Sequence, residues 1–211
     1  CTVVWFGILA AIVHFTKLPS VYDQQRVYAG AAALLRGDYT GWQPYNYFHA
    51  YPYINGMVLM ECPFLWLFGE EQAYIAMQYI NILFWYGAVL AISRMAGLCF
   101  GKKAGIFTYL ALLGFIPMWF YVTFVYGTLP GLFFSALALL LEKEYEMTEK
   151  WQFMAGSLIC IFFGVAWKSN YQIFLIALLL LFFLGGIRKR RWQPFAGAAV
   201  CLLFLCFVLT F

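Results

Sequence analysis

Residues 170–191 read NYQIFLIALLLLFFLGGIRKRR, an apolar run that ends in four consecutive basic residues. A helix needs about 20 apolar residues to cross the hydrocarbon core of a bilayer, and such basic residues are expected to anchor it on anionic lipid. Similar apolar runs lie at about 1–18, 53–69, 73–93, 104–121, 128–141, 152–167 and 194–211. The sequence therefore predicts an all-α, polytopic transmembrane protein.

The composition of the 211 residues supports this class, since 65% are hydrophobic, 10% are charged and the mean hydropathy is +0.81. Soluble domains carry roughly 25% charged residues, and a soluble core of this size could not bury so much apolar surface. Soluble enzymes, nucleic-acid-binding proteins, disordered regulators and secreted disulfide scaffolds are therefore excluded.

The six cysteines are scattered through apolar runs, without a CxxC pair or a neighbouring histidine. That pattern argues against a zinc site and against a disulfide framework, so we interpret the cysteines as small packing residues. The chain begins at Cys1 and stops at Phe211 inside apolar runs. We therefore expect residues 1–211 to be one transmembrane module that is truncated at both ends.

The run at 53–69 differs from the others because it contains Asn55, Glu61 and Pro63. As a helix it would extend roughly 25 Å at about 1.5 Å per residue, less than a hydrocarbon core of about 30 Å. We interpret it as an interfacial or re-entrant helix, and a short spanning helix stays open. The expected architecture is about seven spanning helices, with interfacial helices in a first loop over residues 19–72.

The placement of the 13 lysines and arginines allows two topologies. If all eight runs span, twelve basic residues lie on one side and only Lys168 lies on the other. If 53–69 does not span, nine basic residues face four. The nine are Arg94, Lys102, Lys103, Lys143, Lys150 and Arg188 to Arg191. Both are positive-inside patterns, and charge alone favours the first, which places the loop at 19–52 in the cytoplasm.

The first loop contains a predicted amphipathic helix at 20–37. Ser20 and Asp23 match an S-x-x-D capping box, and Gly37 suits a C-terminal cap. One apolar stripe carries Val27, Ala31, Leu34 and Leu35. Such a helix is expected to lie in the membrane interface, and the aromatic residues that follow it, between 39 and 53, are expected to form an interfacial belt.

Asp23 has two compatible interpretations. A carboxylate in the first turn of a helix satisfies free amides and complements the helix dipole. The same environment would hold it ionised and in place, as a general base or a metal ligand requires. The pattern alone does not decide between a cap and a functional acid.

Several motifs follow one another in a specific order. The first apolar run precedes Pro19-x-x-x-Asp23, Leu34-Leu35-Arg36-Gly37-Asp38-Tyr39 and His49-Ala50-Tyr51-Pro52-Tyr53. A helix ending Leu67-Phe68-Gly69-Glu70 comes next, then a basic turn from Arg94 to Lys103, and later a glycine-containing helix that ends in Trp167-Lys168. Over nearly the whole chain, this order resembles the N-terminal part of GT-C fold glycosyltransferases. The nearest group depends on polyprenyl-phosphate sugars and includes protein O-mannosyltransferases and lipid A aminoarabinose transferases.

The resemblance implies an enzyme that moves a sugar from a polyprenyl-phosphate donor to a lipid, glycan or protein acceptor. It implies that the first loop is extracytoplasmic and that 53–69 does not span, against the preference from charge. Asp23 would act as the catalytic base, and Lys168, His49 and Arg26 would bind the donor phosphate. The expected location is a bacterial plasma membrane, with membrane lipids and no nucleic acid as partners.

The sequence departs from the family in one turn. Many members carry a second acid there, whereas this turn reads Val125-Tyr126-Gly127-Thr128-Leu129-Pro130. A divalent metal ion is therefore an open expectation. Glu61 and Glu70 are the candidates for an additional acid. An acid inside an apolar run is a functional candidate by default, but Glu61 would face water if its helix is interfacial.

A small-solute transporter or a lipid flippase is the second function class. Transporters typically show internal repeats and broken mid-membrane helices with paired charges. This sequence has no repeat, and its ionisable residues gather at one membrane face. That distribution favours an enzyme, while a scaffold subunit without activity stays open.

Overall fold

The computed structural model describes residues 2–210, and every regular element in that part of the chain is helical. The α-helices are α1 Thr2–Thr16, α2 Tyr22–Leu35, α3 Tyr47–Ala50, α4 Asn55–Phe100, α5 Lys102–Leu113, α6 Ile116–Tyr121, α7 Thr128–Thr148, α8 Trp151–Trp167, α9 Gln172–Lys189 and α10 Gln193–Thr210. Short 3-10 turns lie at Thr40–Trp42, Pro52–Ile54 and Ser169–Tyr171. The predicted all-α class is confirmed for these residues, while Cys1 and Phe211 lie outside the described residues.

Within residues 2–210, two helical segments are long and apolar enough to cross a membrane. They are Pro52–Phe100, which contains α4, and Ser169–Lys189, which contains α9. Shorter apolar helices of 10–17 residues lie at Thr2–Thr16, Trp151–Trp167 and Gln193–Leu209. Length and composition therefore identify two candidate spans, and the predicted number of seven is not confirmed.

A break at Gly69 divides α4 into two helical segments. The backbone there has φ 73° and ψ 164°, which lies outside the helical region. The first segment, 55–68, extends roughly 21 Å at about 1.5 Å per residue, less than a hydrocarbon core of about 30 Å. The predicted helix end at Gly69 is confirmed, and the segment is short enough for the non-spanning interpretation.

The predicted span at 104–121 consists of two helices, α5 and α6, and not of one. Pro117 has no N–H group, so it cannot bond to the carbonyl of Leu113 four residues earlier, as a continuous helix requires. The indole N–H groups of Trp5 and Trp119 donate to that carbonyl instead, at 3.1 and 2.7 Å. The freed oxygen is thus satisfied inside the protein.

Helix α7 packs along α8, and polar contacts mark both of its ends. At the first end, Lys168 donates to the hydroxyl of Thr128 at 2.9 Å. At the other end, Glu146 pairs with Arg188 of α9. Thr128 and Glu146 are separated by roughly 27 Å along the helix, at about 1.5 Å per residue. This distance is close to the hydrocarbon thickness of a bilayer, about 30 Å.

The basic cluster Arg188–Arg191, at the end of α9 and just after it, binds acids at the end of α7, and not lipid alone as the sequence suggests. Glu149 pairs with both Lys189 and Arg191, beside the pair of Glu146 and Arg188. Arg190 is exposed and makes no ion pair within residues 2–210. Three of the four cations of the cluster therefore hold α9 against α7.

The predicted C-terminal cap of α2 is confirmed. Gly37 has φ 75°, and its N–H donates to the carbonyl of Leu34 at 3.0 Å. The N–H of Asp38 donates to the carbonyl of Ala33 at 2.9 Å. These two bonds form a Schellman motif, in which a residue of positive φ satisfies the last carbonyls of the helix.

Two aromatic residues of the first loop build a small core, whereas four tyrosines of the predicted interfacial belt are exposed: Tyr39, Tyr45, Tyr51 and Tyr53. Phe48 is buried and stacks on Trp42, with ring centroids 4.5 Å apart. Val27 and Ala31, from the predicted stripe of α2, are fully buried in the same cluster against α4. Tyr39 remains exposed. Contact with protein therefore decides the position of α2.

Candidate functional site

The carboxylate of Asp23 is held by a side chain from another helix. The predicted capping box of Ser20 and Asp23 is wrong, because Val21 precedes α2 and no side chain caps that helix. The phenol of Tyr47, on α3, donates to Oδ1 of Asp23 at 3.0 Å. The exposed carboxylate is therefore oriented across the loop and not toward its own helix.

Tyr47 also contacts a cation. The guanidinium of Arg26 lies over the Tyr47 ring, 4.8 Å from its centroid. Burial, followed by the hydrogen bond to Asp23, raises the pKa of Tyr47. The phenol therefore stays protonated and remains a donor to Asp23. Of the predicted residues, Arg26 thus reaches Asp23 through a shared aromatic ring.

A second polar group forms where α7 begins and α8 ends. The ammonium of Lys168 donates to the hydroxyl of Thr128 at 2.9 Å and lies 4.4 Å from the centroid of the Tyr126 ring. Burial lowers the pKa of Lys168, because the charged amine loses solvation. Within residues 2–210, no carboxylate pairs with this half-buried ammonium. Lys168 is therefore a cation available to an anionic ligand.

Tyr126 contacts Lys168 and lies within the electrostatic influence of Asp23. Burial raises the pKa of Tyr126, and the negative charge of Asp23 raises it further. The carboxylate therefore acts electrostatically on the phenol whose ring lies beside Lys168. We call Asp23, Tyr47, Tyr126 and Lys168 the Asp23–Lys168 site. It contains two residues that the sequence singles out in distant segments of the chain, and within residues 2–210 no hydrogen bond or ring contact joins the Asp23–Tyr47 pair to the Lys168–Tyr126 pair.

Two glycines bring the backbone ahead of Lys168 against α4 and α7. A Cβ atom at Gly56 would lie 2.5 Å from the carbonyl oxygen of Ala166, and one at Gly127 would lie 2.1 Å from that of Trp167. Gly127 also has φ 67°, a left-handed conformation that residues with side chains rarely adopt. The position of Lys168 therefore depends on the absence of side chains at these positions.

A cavity of about 260 Å³ opens beside Lys168. Its polar walls include Tyr53, Tyr126, Lys168, Ser169 and Asn170. A second, largely apolar groove of about 270 Å³ shares Tyr53 and Ser169 with this cavity. The groove runs toward α10 and is lined by Phe162, Phe204 and Phe207. An unpaired cation thus lies next to an extended apolar surface.

The other predicted phosphate ligand, His49, does not join this arrangement. It is exposed on α3, two residues after Tyr47. Its side chain makes no hydrogen bond or ring contact in the described part of the chain. The structure therefore links Asp23 to Arg26 through the Tyr47 ring, whereas His49 contacts neither Asp23 nor Lys168.

The two candidates for an additional acid lie elsewhere. Glu61 is 1% exposed, and within residues 2–210 its Oε2 atom has no hydrogen-bond partner, so it does not face water. Glu70 pairs with Arg36 at the end of α2. The backbone carbonyl of Glu70 also accepts from the phenol of Tyr28. Within residues 2–210, no hydrogen bond or ion pair joins Glu70 to the Asp23–Lys168 site.

The residues at the Asp23–Lys168 site do not fit a divalent metal ion. Among residues 2–210, no three His, Cys, Asp or Glu side chains are grouped so that they could hold one. Hard divalent cations prefer several oxygen ligands, whereas the groups connected with Asp23 are the two tyrosines and the cations Arg26 and Lys168.

Tyr47 belongs to the site but is not singled out by any sequence pattern. Tyr126, and Thr128, which binds Lys168, lie in the turn at 125–130 that the sequence singles out only because it lacks an acid. The tyrosines lie in aromatic-rich segments that are typical of a membrane interface. Gly127 followed by Pro130 is a local sign of a helix start, and it could have drawn attention to this turn. No local signal pairs the turn with Lys168.

Comparisons with known proteins leave the function to be argued from this geometry. No protein family, curated protein or solved structure matches the chain. The resemblance to GT-C fold enzymes therefore rests on the order of short motifs alone.

Proposed function

We propose that this chain belongs to a multi-pass membrane glycosyltransferase that moves a sugar from a polyprenyl-phosphate donor to an acceptor hydroxyl. The observation that carries the proposal is the Asp23–Lys168 site. There, Tyr47 orients the Asp23 carboxylate, whose negative charge acts on Tyr126, and the Tyr126 ring lies beside the unpaired, half-buried ammonium of Lys168 at a cavity. A base and a cation in one site are what displacement of an anionic leaving group requires.

The proposed reaction is a single displacement. The acceptor oxygen forms a bond to the anomeric carbon while the bond from that carbon to the donor phosphate oxygen breaks. The electron pair of the broken bond stays on the phosphate, and the acceptor proton passes to Asp23. Lys168 stabilises the charge on the departing phosphate, and Tyr47 orients the Asp23 carboxylate.

The apolar groove supports a lipid-linked donor. Because it shares Tyr53 and Ser169 with the polar cavity, an amphiphile with its phosphate at Lys168 would lay its chain along the groove. Burial of apolar surface contributes about 25 cal/mol per Å², so the chain would add binding energy that a soluble sugar nucleotide lacks.

The distribution of charge supports an extracytoplasmic position for the site. The end of α7 that carries Glu146 contacts the basic cluster after α9, and Arg94 binds Glu144 at the same end. The positive-inside rule places such a basic end in the cytoplasm. The Asp23–Lys168 site, at the other end of α7, would then face outward in a bacterial plasma membrane.

A cysteine-labelling experiment tests this topology. Tyr39→Cys, in a full-length background without the native cysteines, should react with a membrane-impermeant thiol reagent in intact cells, because Tyr39 is exposed in the first loop. Lys102→Cys, exposed at the basic end, should react only after permeabilisation. The reverse labelling pattern would place the site in the cytoplasm and contradict the proposal.

Loss of the ammonium at Lys168 should weaken use of the donor. Lys168→Gln is expected to lower kcat/KM for the lipid-linked donor about a hundredfold, the usual effect of removing one group that stabilises developing negative charge.

Since burial lowers the pKa of Lys168, its charge is lost at lower pH than that of an ordinary lysine. The donor KM should therefore rise as pH increases, and Lys168→Arg should move this rise to higher pH. Steady-state kinetics from neutral to alkaline pH measure both effects.

Lys17→Gln is the matched control, because Lys17 is exposed and makes no contact with the site. It should keep the wild-type pH profile. Wild-type donor kinetics in Lys168→Gln would contradict a role for Lys168. Movement of the sugar-linked lipid between leaflets of a vesicle, without transfer to any acceptor, would instead favour a flippase.

A further inference from the structure

A second polar cavity lies at the opposite end of α7 and α8 from the Asp23–Lys168 site, and the proposed reaction does not use it. Its volume is about 340 Å³, and it opens between the α7–α8 turn and the α9–α10 turn. Its lining includes Glu149, Lys150, Gln152, Lys189, Arg191 and Gln193. The cavity is therefore built from two turns that are distant in sequence.

The charges that line this cavity are unbalanced. Glu149 pairs with both Lys189 and Arg191. Lys150 is exposed, and its ammonium makes no ion pair within residues 2–210. Three cations thus share one carboxylate, and an anion that enters the cavity meets a net positive charge.

Two helix N-termini point to the same kind of ligand. Helix α8 begins at Trp151 without a side-chain cap, and α10 begins at Gln193. The first N–H groups of a helix lack partners inside it, and its N-terminus carries partial positive charge. The nearby C-terminus of α7 is already closed, since the N–H of Glu149 donates to the carbonyl of Tyr145 at 2.8 Å. The free backbone groups therefore also favour an anion, as at many phosphate sites.

Gln193, which lines the cavity, carries a buried acceptor without a donor. Within the described residues, Oε1 of Gln193 is buried and has no hydrogen-bond partner. Leaving a buried acceptor unpaired is unfavourable, so a ligand hydroxyl at this position would relieve the cost. A phosphate with a hydroxyl group a few bonds away matches both the cations and Gln193.

The surroundings identify a membrane lipid as the source of that phosphate. Trp151 and Trp192 are 67% and 73% exposed beside the cavity, and exposed tryptophans are typical of the headgroup level of a bilayer. Leu184 and Ile187 of α9 are also exposed, where acyl chains would cover them. A soluble anion would leave this apolar surface uncovered.

We propose that this cavity binds the headgroup of phosphatidylglycerol. The phosphate lies against Lys150 and Arg191, and a glycerol hydroxyl donates to Oε1 of Gln193. The site is independent of the proposed glycosyl transfer, so the failure of one does not affect the other.

The test compares lipids on the full-length protein in detergent, by thermal shift and by native mass spectrometry. Dioctanoyl phosphatidylglycerol should bind, while dioctanoyl phosphatidylcholine and glycerol 3-phosphate should not. Lys150→Gln should weaken phosphatidylglycerol binding about tenfold, the value of one charge-assisted hydrogen bond. Gln193→Leu should weaken it as well but leave binding of dioctanoyl phosphatidic acid unchanged, because that lipid has no glycerol headgroup.

Lys102→Gln is the matched control, since it removes the same charge at the same end of the helices but outside the cavity. Its affinity for phosphatidylglycerol should be that of the wild type. Equal losses in Lys102→Gln and Lys150→Gln would overturn the proposal in favour of diffuse attraction to an anionic surface. Equal binding of phosphatidylcholine would overturn it as well, and equal binding of glycerol 3-phosphate would assign the cavity to a soluble anion.

Discussion

Asp23→Asn should lower the rate of sugar transfer about a thousandfold while leaving the protein folded. A positioned general base contributes roughly 10²- to 10⁴-fold to a reaction rate, and an amide cannot accept the acceptor proton. The asparagine oxygen can still accept the hydrogen bond from Tyr47 that the Asp23 carboxylate accepts at 3.0 Å. Transfer kinetics with the polyprenyl-phosphate donor measure the loss, and thermal unfolding in detergent checks the fold.

Two further variants separate the base from its surroundings. Asp38→Asn removes an acid from the same loop, one that accepts from the N–H of Thr40 at 2.9 Å, and should keep wild-type transfer. Tyr47→Phe removes only the bond that orients Asp23, and should lower kcat about tenfold with the donor KM unchanged, because it leaves Lys168 in place. Wild-type transfer in Asp23→Asn would show that Asp23 is not the base.

Gly127→Ala should destabilise the protein by about 3 kcal/mol and raise the donor KM. The left-handed conformation of Gly127, φ 67°, costs an alanine about 1–2 kcal/mol, and the added Cβ overpacks the contact with Trp167 at a further cost of about 1–3 kcal/mol. Relief of that contact moves the end of α8 and with it Lys168. Denaturant unfolding in detergent micelles gives the change in free energy, and kinetics give the KM.

Gly37→Ala is the control for backbone strain alone. Gly37 also has a left-handed φ, 75°, but a Cβ there would meet nothing within 4 Å. Its replacement should cost only about 1–2 kcal/mol and leave the donor KM unchanged. If both variants lose the same stability, the close approach of Gly127 to Trp167 contributes nothing.

The local sequence pattern predicted several helix ends correctly, because these ends depend only on neighbouring residues. The ends of helices at Gly37 and Gly69 follow from backbone conformations that a single residue controls. The break before Pro117 has an equally local cause, yet the apolar run at 104–121 obscured it. The predicted capping box at Ser20 is wrong: no side chain caps α2, and the Asp23 carboxylate accepts a hydrogen bond from Tyr47 of another helix.

Two properties follow from the sequence by itself: the chain forms apolar helices, and Asp23 and Lys168 are chemical candidates among scarce charged residues. Hydrogen bonds between residues four apart are enough to form the helices. Composition is enough to show that they are apolar and that charged residues are scarce. Only the tertiary structure decided that Tyr47 binds Asp23, that Tyr126 lies beside Lys168 and that Lys168 keeps no carboxylate partner within residues 2–210. It also decided that the basic cluster after α9 binds Glu146 and Glu149. Such contacts join distant segments, and they depend on how closely the helices approach, which at Gly127 is determined by a missing side chain.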